Sequence, residues 1–245
     1  GLGDACDVSG FWAIDYLPAP PVGTNCAATI IQGPAVAGVS SISGPVSCTD
    51  GRIGSMTVGT FNQATFATTG TVVFPSVGQT FDTPGTVVIP GAGPPGSTAT
   101  ASGTWCLVLG PPCGPGPGTW TAVRYTPSYT ALAPAVITSG PGDVLTINPG
   151  ALGAGTPVTM TLQPLPMAPP AGMRPLRTAY SLEPSGALTD PPGVDLVIQY
   201  QPSDVPFGVL PSTLQVYVQT SIGCPPGPVP CWLLEGGLPG PGVNQ

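Results

Sequence analysis

The sequence predicts an all-β fold built in two modules and stapled by disulfides, and three observations carry that reading. Short runs rich in Val, Ile, Thr, Phe and Tyr recur along the whole chain, each of strand rather than helix length. The 36 Gly and 36 Pro of the 245 residues fall between those runs, where turns belong. Seven cysteines stand in a chain with no His and no Cys-x-x-Cys, which suits oxidised pairs better than metal ligation.

So much Gly and Pro would by itself read as low complexity. Disordered chains, however, combine low hydrophobicity with high charge. Here 41% of residues are hydrophobic and only 6% are charged, against about 25% in an ordinary soluble domain. The chain therefore folds. Its cations are Arg52, Arg124, Arg174 and Arg177, and with 11 acids the net charge is −7. Four scattered arginines cannot form a phosphate-binding stripe, so no nucleic-acid partner is expected. A surface of Ser, Thr, Gly, Pro and Gln has little charge to desolvate and packs readily on copies of itself.

The strands expected through residue 125 are Val8–Tyr16, Cys26–Gln32, Val36–Ser43, Arg52–Phe61, Ala64–Phe74, Gln79–Ile89, Ser97–Val108 and Gly118–Tyr125. Polar and apolar residues largely alternate in Thr65–Val72 and Thr98–Trp105, the pattern of a sheet with one face inward. Eight such strands joined by short turns suggest a meander closing into a small barrel, which removes exposed edges. Trp12, Trp105 and Trp120 are expected as core or rim anchors.

Each of these Trp residues sits two positions after a Gly, in Gly10-Phe11-Trp12, Gly103-Thr104-Trp105 and Gly118-Thr119-Trp120. The first and last lie at the two ends of the region, where closure would bring strands together. Gly-x-Trp opening the first strand, with Tyr16 four residues on, resembles lipocalin-like exported bacterial barrels. That resemblance, over about 120 residues, implies a small antiparallel barrel for 1–125 and room for an apolar ligand.

From about Thr126 the runs lengthen, with Pro at their ends. Val158, Met160 and Leu162 alternate with Thr159, Thr161 and Gln163. Val194, Leu196 and Ile198 alternate with Asp195 and Gln199, Val197 being the exception. Val144, Ile147 and Leu152 are expected in the core around a Pro149-Gly150 turn. Pro134–Trp232 resembles the ZU5-like β-sandwich module of large exported bacterial proteins. The matching stretches are Gly142–Leu152, Pro157–Leu162, Tyr180–Gly186, Val194–Tyr200, Leu214–Val218 and Trp232. The resemblance implies a β-sandwich for 126–245, with a Gly/Pro-rich tail from Leu238 to Gln245. The family pattern usually continues past the Trp strand. Here Gly236-Gly237 follows instead, so the module is shortened, completed by a neighbour, or continued in further chain.

Among the cysteines, Cys106 and Cys113 flank one Pro/Gly loop and Cys224 and Cys231 another. Cys26 and Cys48 sit near the ends of adjacent strands and make a third candidate pair. Cys6 is left over, as a free thiol or an intermolecular link. Connectivity is not readable from spacing alone. Disulfides place the protein outside the cytosol, and Gly1 is expected either to follow a processing site or to mark the start of the ordered chain. No apolar run approaches the roughly 20 residues of a membrane-spanning helix.

No catalytic constellation emerges. Without His or Lys there is no Ser–His or Ser–Lys nucleophile, and no phosphate loop. The remaining enzymatic option is a carboxylate pair, from Asp4, Asp7 and Asp15 or from Asp190, Asp195 and Asp204. Single Asp in turns is the ordinary explanation, and a calcium site from the same oxygens stays open. No cofactor is expected. The leading expectation is a non-catalytic, exported structural or adhesive protein forming a homo-oligomer or homopolymer, such as a filament or surface-layer subunit. The alternative is a secreted binding protein carrying a small apolar ligand in the barrel.

Overall fold

Alternating side chains and Gly/Pro punctuation shape nearly every element of the fold. The computed structural model describes residues 7–17, 25–88, 97–108, 118–169, 173, 175, 179–183, 194–198, 214–220 and 230–234. Its first strands are β1 (Gly10–Leu17), β2 (Asn25–Val36), β3 (Val39–Cys48), β4 (Ile53–Asn62) and β5 (Ala67–Phe74). They are followed by β6 (Gln79–Asp82), β7 (Gly85–Val88), β8 (Ser97–Leu107) and β9 (Gly118–Tyr125). No α-helix occurs among the described residues; one 3-10 turn spans Pro75–Val77.

These strands form a closed antiparallel meander. Apart from β6 and β7, consecutive strands pair with each other, and β9 returns to β1. Gln79–Ile89 is not one strand as expected but two short ones, β6 and β7, both lying between β5 and β8. The break falls at Thr83-Pro84, where Thr83 N–H turns to the Gly70 carbonyl and Pro84 has no N–H to offer. Counted by position, the barrel is therefore eight-stranded. The boundary between β2 and β3 also moves. β2 runs through Gly33-Pro34 on a register shift between Gln32 and Ala35, and the turn comes at Ala37-Gly38. Both turn residues have positive φ, 52° and 78°, as a two-residue hairpin requires.

The barrel interior is a single apolar core. Trp12, Tyr16, Ala28, Ile30, Val46, Phe61, Val72, Phe74, Phe81, Trp105 and Trp120 are buried in it. Bulky rings are accommodated by missing ones. Gly118 lies opposite Trp105, and a Cβ there would stand 2.2 Å from the indole Nε1. Gly85 makes the same allowance for Trp120, 2.3 Å from its Cζ2.

The second region carries β10 (Ser128–Leu132), β11 (Ala135–Thr138), β12 (Val144–Ile147), β13 (Pro157–Gln163), β14 (Ala179–Glu183), β15 (Val194–Val197), β16 (Tyr217–Thr220) and β17 (Cys231–Leu234). Sheets β10-β13-β14 and β11-β12-β15 share one core of Ile137, Leu145, Ile147, Val158 and Met160, with Tyr129, Tyr180, Leu182 and Leu196 packed beside it. β16 pairs with β17. The alternation expected for Val158, Met160 and Leu162 is present, with exposures of 5%, 0% and 1%. In β12 the inward residues are Leu145 and Ile147. Val144 is only half-buried, because the pleat puts 145 and 147 on one face. Val197 points to solvent. Of Leu214–Val218, only Tyr217 and Val218 belong to a strand.

The two regions touch through a third cluster. Phe11 and Ala27 face out of the barrel by alternation, yet both are fully buried against Leu162, with Tyr125, Tyr129 and Tyr180 around them. Leu165 N–H donates to Ser47 Oγ at 2.8 Å and fastens the chain after β13 to the barrel wall.

Candidate functional site

The barrel interior is the place where a ligand would be sought. Glycines on one strand leave room for bulky side chains from neighbouring strands, and a Cβ added at Gly54, Gly59 or Gly70 would collide with Phe74, Ile42 or Met56 respectively. The expected Trp12, Trp105 and Trp120 all lie in this core as packing residues. Two indoles are tied to backbone, Trp12 Nε1 to the Val8 carbonyl at 2.9 Å and Trp120 Nε1 to the Thr104 carbonyl at 3.0 Å. Trp105 Nε1 is buried without a hydrogen-bond partner, packed against Gly118.

Both mouths hold an arginine. At one, Arg52 is 8% exposed, pairs with Asp50 at 2.7 Å, donates to Gln79 Oε1 at 2.8 Å, and lies 4.9 Å from the Phe74 ring centre. Tyr16 beside it has its phenol pushed up to about 12 by burial, with the Arg52 charge pulling weakly the other way. At the other mouth Arg124 donates to Thr98 Oγ1 at 2.7 Å and to the Asp7 carbonyl. Burial lowers the Arg124 pKa, partly offset by Asp7. Val8 fills this mouth with its side chain, 2% exposed, and its N–H donates to Gln32 Oε1 at 2.7 Å. The interior is thus packed and its described ends are occupied by side chains of the chain itself.

Of the cysteines, Cys26 and Cys48 form a disulfide between directly opposed residues of β2 and β3, in the barrel core. Cys106 is also disulfide-bonded. Cys6, Cys113 and Cys224 lie outside them too, and Cys231 opens β17.

Comparison with known protein families, with curated proteins and with solved structures finds no match for this chain.

The carboxylates are dispersed. Asp4, Asp190 and Asp204 lie outside the described residues. Asp7 caps Ser9 N–H at 2.8 Å, and Asp195 accepts from Asn148 at 3.0 Å. Among the described residues no three potential metal ligands gather. Sequence reasoning passed over one carboxylate, Asp143, which is 1% exposed. It accepts from Ser139 Oγ at 3.1 Å and from the Tyr180 hydroxyl, tying the β11–β12 turn to β14. Next to it Gly140 N–H donates to Tyr129 Oη at 2.6 Å. Burial raises the Tyr129 pKa, which the Gly140 bond lowers and the Asp143 charge raises further. A Ser-x-x-x-Asp pair around Gly-Pro-Gly is the only sequence signal that could have marked this turn.

The exterior completes the picture. Thr60, Thr69, Thr86, Ser102, Thr119 and Thr121 are exposed on β4, β5, β7, β8 and β9, several of them cross-strand neighbours. Val58, Val36 and Ile31 are exposed at 67%, 76% and 60%. Hydroxyls and aliphatic groups make up most of this wall, with half-exposed Asp15 and Asp82 among them.

Proposed function

We propose that this chain is a non-catalytic, exported structural or adhesive protein that assembles with copies of itself, as a filament or surface-layer subunit. One observation carries the reading. Of the two arginines among the described residues, Arg52 is buried in one barrel mouth and Arg124 bonds inward at the other, and the described barrel wall presents mainly threonine and aliphatic side chains. Docking such a wall requires little charge desolvation. The two disulfide-bonded sites fit an oxidising compartment. The same reading takes the barrel as lipocalin-like and the paired sheets as a ZU5-like module, on the Gly-x-Trp and Pro134–Trp232 motifs. The rival, an apolar-ligand carrier, is disfavoured by rings and glycines that already fill the barrel.

The test is particle mass. Oxidised native chain, studied by light scattering and electron microscopy, is expected to give polymers or discrete multimers. A monodisperse monomer at every accessible concentration would overturn the assignment.

A further inference from the structure

This inference rests on the self-assembly reading and names a contact for it. β14 is an outer strand, and among the described residues its ladder runs to β13 alone. The direction of its other backbone groups follows from the far side of β13. Leu162 N–H donates to the Pro127 carbonyl at 2.7 Å, toward β10. In an antiparallel ladder the N–H and C=O of one residue point to the same side, and the side alternates along the strand. Thr161 and Gln163 therefore point toward β14, and their partners Ser181 and Ala179 point back. Tyr180 and Leu182 direct both backbone groups away from the sheet. Their side chains belong to the core but are only half-buried, whereas Met160 and Leu162 on β13 are fully covered. Outward donors and acceptors beside half-covered apolar side chains make a template for another strand.

We propose that β14 pairs antiparallel with β14 of a second copy, about a two-fold axis at Ser181. In this register Tyr180 opposes Leu182 of the partner copy. These are the residues whose N–H and C=O point outward, so each such pair can exchange both hydrogen bonds. Ala179 opposes Glu183 of the partner copy, so the one charge on the strand meets a methyl group and not its own image. The core-facing side chains of both copies then lie on one face, extending each core across the axis. β15, one of the two outer strands of the other sheet among the described residues, is a poorer candidate. It carries exposed Asp195 within the strand, the kind of charge that guards an edge.

The register makes residue 179 a charge sensor for the contact. Within one chain, positions 179 and 183 are separated by the length of the strand; across the axis they are directly opposed. Self-association of the full oxidised chain is measured by sedimentation velocity over a concentration series. Ala179→Arg should tighten it and Ala179→Glu weaken it, each by about tenfold, since the contact contains the pair twice. The double variant Ala179→Glu with Glu183→Arg should return it toward the parent value. Circular dichroism and thermal unfolding verify that each variant folds, and because the Arg and Glu variants shift in opposite directions, a loss of fold cannot imitate the pattern. Association that is indifferent to all three changes overturns this contact and leaves self-assembly standing. A parent chain that stays monomeric overturns both.

Discussion

A guanidinium in the mouth of an apolar barrel must have its charge answered locally, and Arg52 has it answered three ways. Asp50 supplies a carboxylate at 2.7 Å, Gln79 an amide oxygen at 2.8 Å, and the Phe74 and Phe81 rings lie 4.9 and 5.6 Å from the guanidinium carbon. Neighbouring Tyr16 makes this end of the barrel sensitive to alkali. Its phenol is held up to about 12, from an ordinary value of 10.0, chiefly by burial. Above pH 10 the unfolded chain releases this proton while the folded chain keeps it. The native state then binds more protons, and stability falls as pH rises from about 10 to 12, by about 3 kcal/mol in all. Denaturant unfolding across that range should show the decline, and Tyr16→Phe should flatten it. An unchanged slope in the variant would mean that other groups cause the loss.

At the scale of elements, the Gly-x-Trp motifs work between strands and not within them. β8 and β9 run antiparallel, so Gly103 faces Trp120 and Trp105 faces Gly118. Gly118 leaves the space that the Trp105 ring fills, whereas a Cβ at Gly103 would meet the Pro84 carbonyl, and the space for Trp120 comes from Gly85. Gly118→Ala would put a methyl carbon 2.2 Å from Trp105 Nε1, in a core whose neighbouring rings Tyr16 and Phe81 leave the indole little freedom to move. Overpacking of this kind costs about 1–3 kcal/mol, measurable as a lowered denaturation midpoint at unchanged m. Gly38→Ala offers a local comparison. Its φ is positive, 78°, and nothing lies within 4 Å of the added carbon, so backbone strain is the whole cost.

For the whole molecule, the contact between barrel and sheets decides whether the protein unfolds once or twice. Phe11 carries much of it, at 0% exposure, with Leu162, Tyr129 and Tyr180 against it. The Leu165–Ser47 bond adds a fixed point along the same wall. The native chain is expected to unfold in one calorimetric transition. Phe11→Ala removes a buried ring, costs about 3–5 kcal/mol, and should split the transition into two as the halves uncouple. Two transitions already present in the native chain would show that the shared cluster does not couple them.

Much of this was legible in the residues themselves. Alternation in Pro157–Gln163 and Thr98–Trp105, and turns at Gly and Pro, determine strands, because strand side chains have period two and turns need particular φ values. The meander followed from strand number and turn length, and Cys26–Cys48, a candidate pair from the ends of adjacent strands, is bonded in the structure. Other features arose only in three dimensions. Alternation turns Phe11 outward toward solvent, and nothing near it in sequence shows that Leu162 will cover it. Asp143 reads as one more turn carboxylate until Tyr180, 37 residues later, closes over it. The sequence by itself determined which faces of each strand are apolar, a property of neighbouring residues. Only the tertiary structure decided which of those faces meet, because that depends on the shapes of surfaces built from segments far apart in the chain.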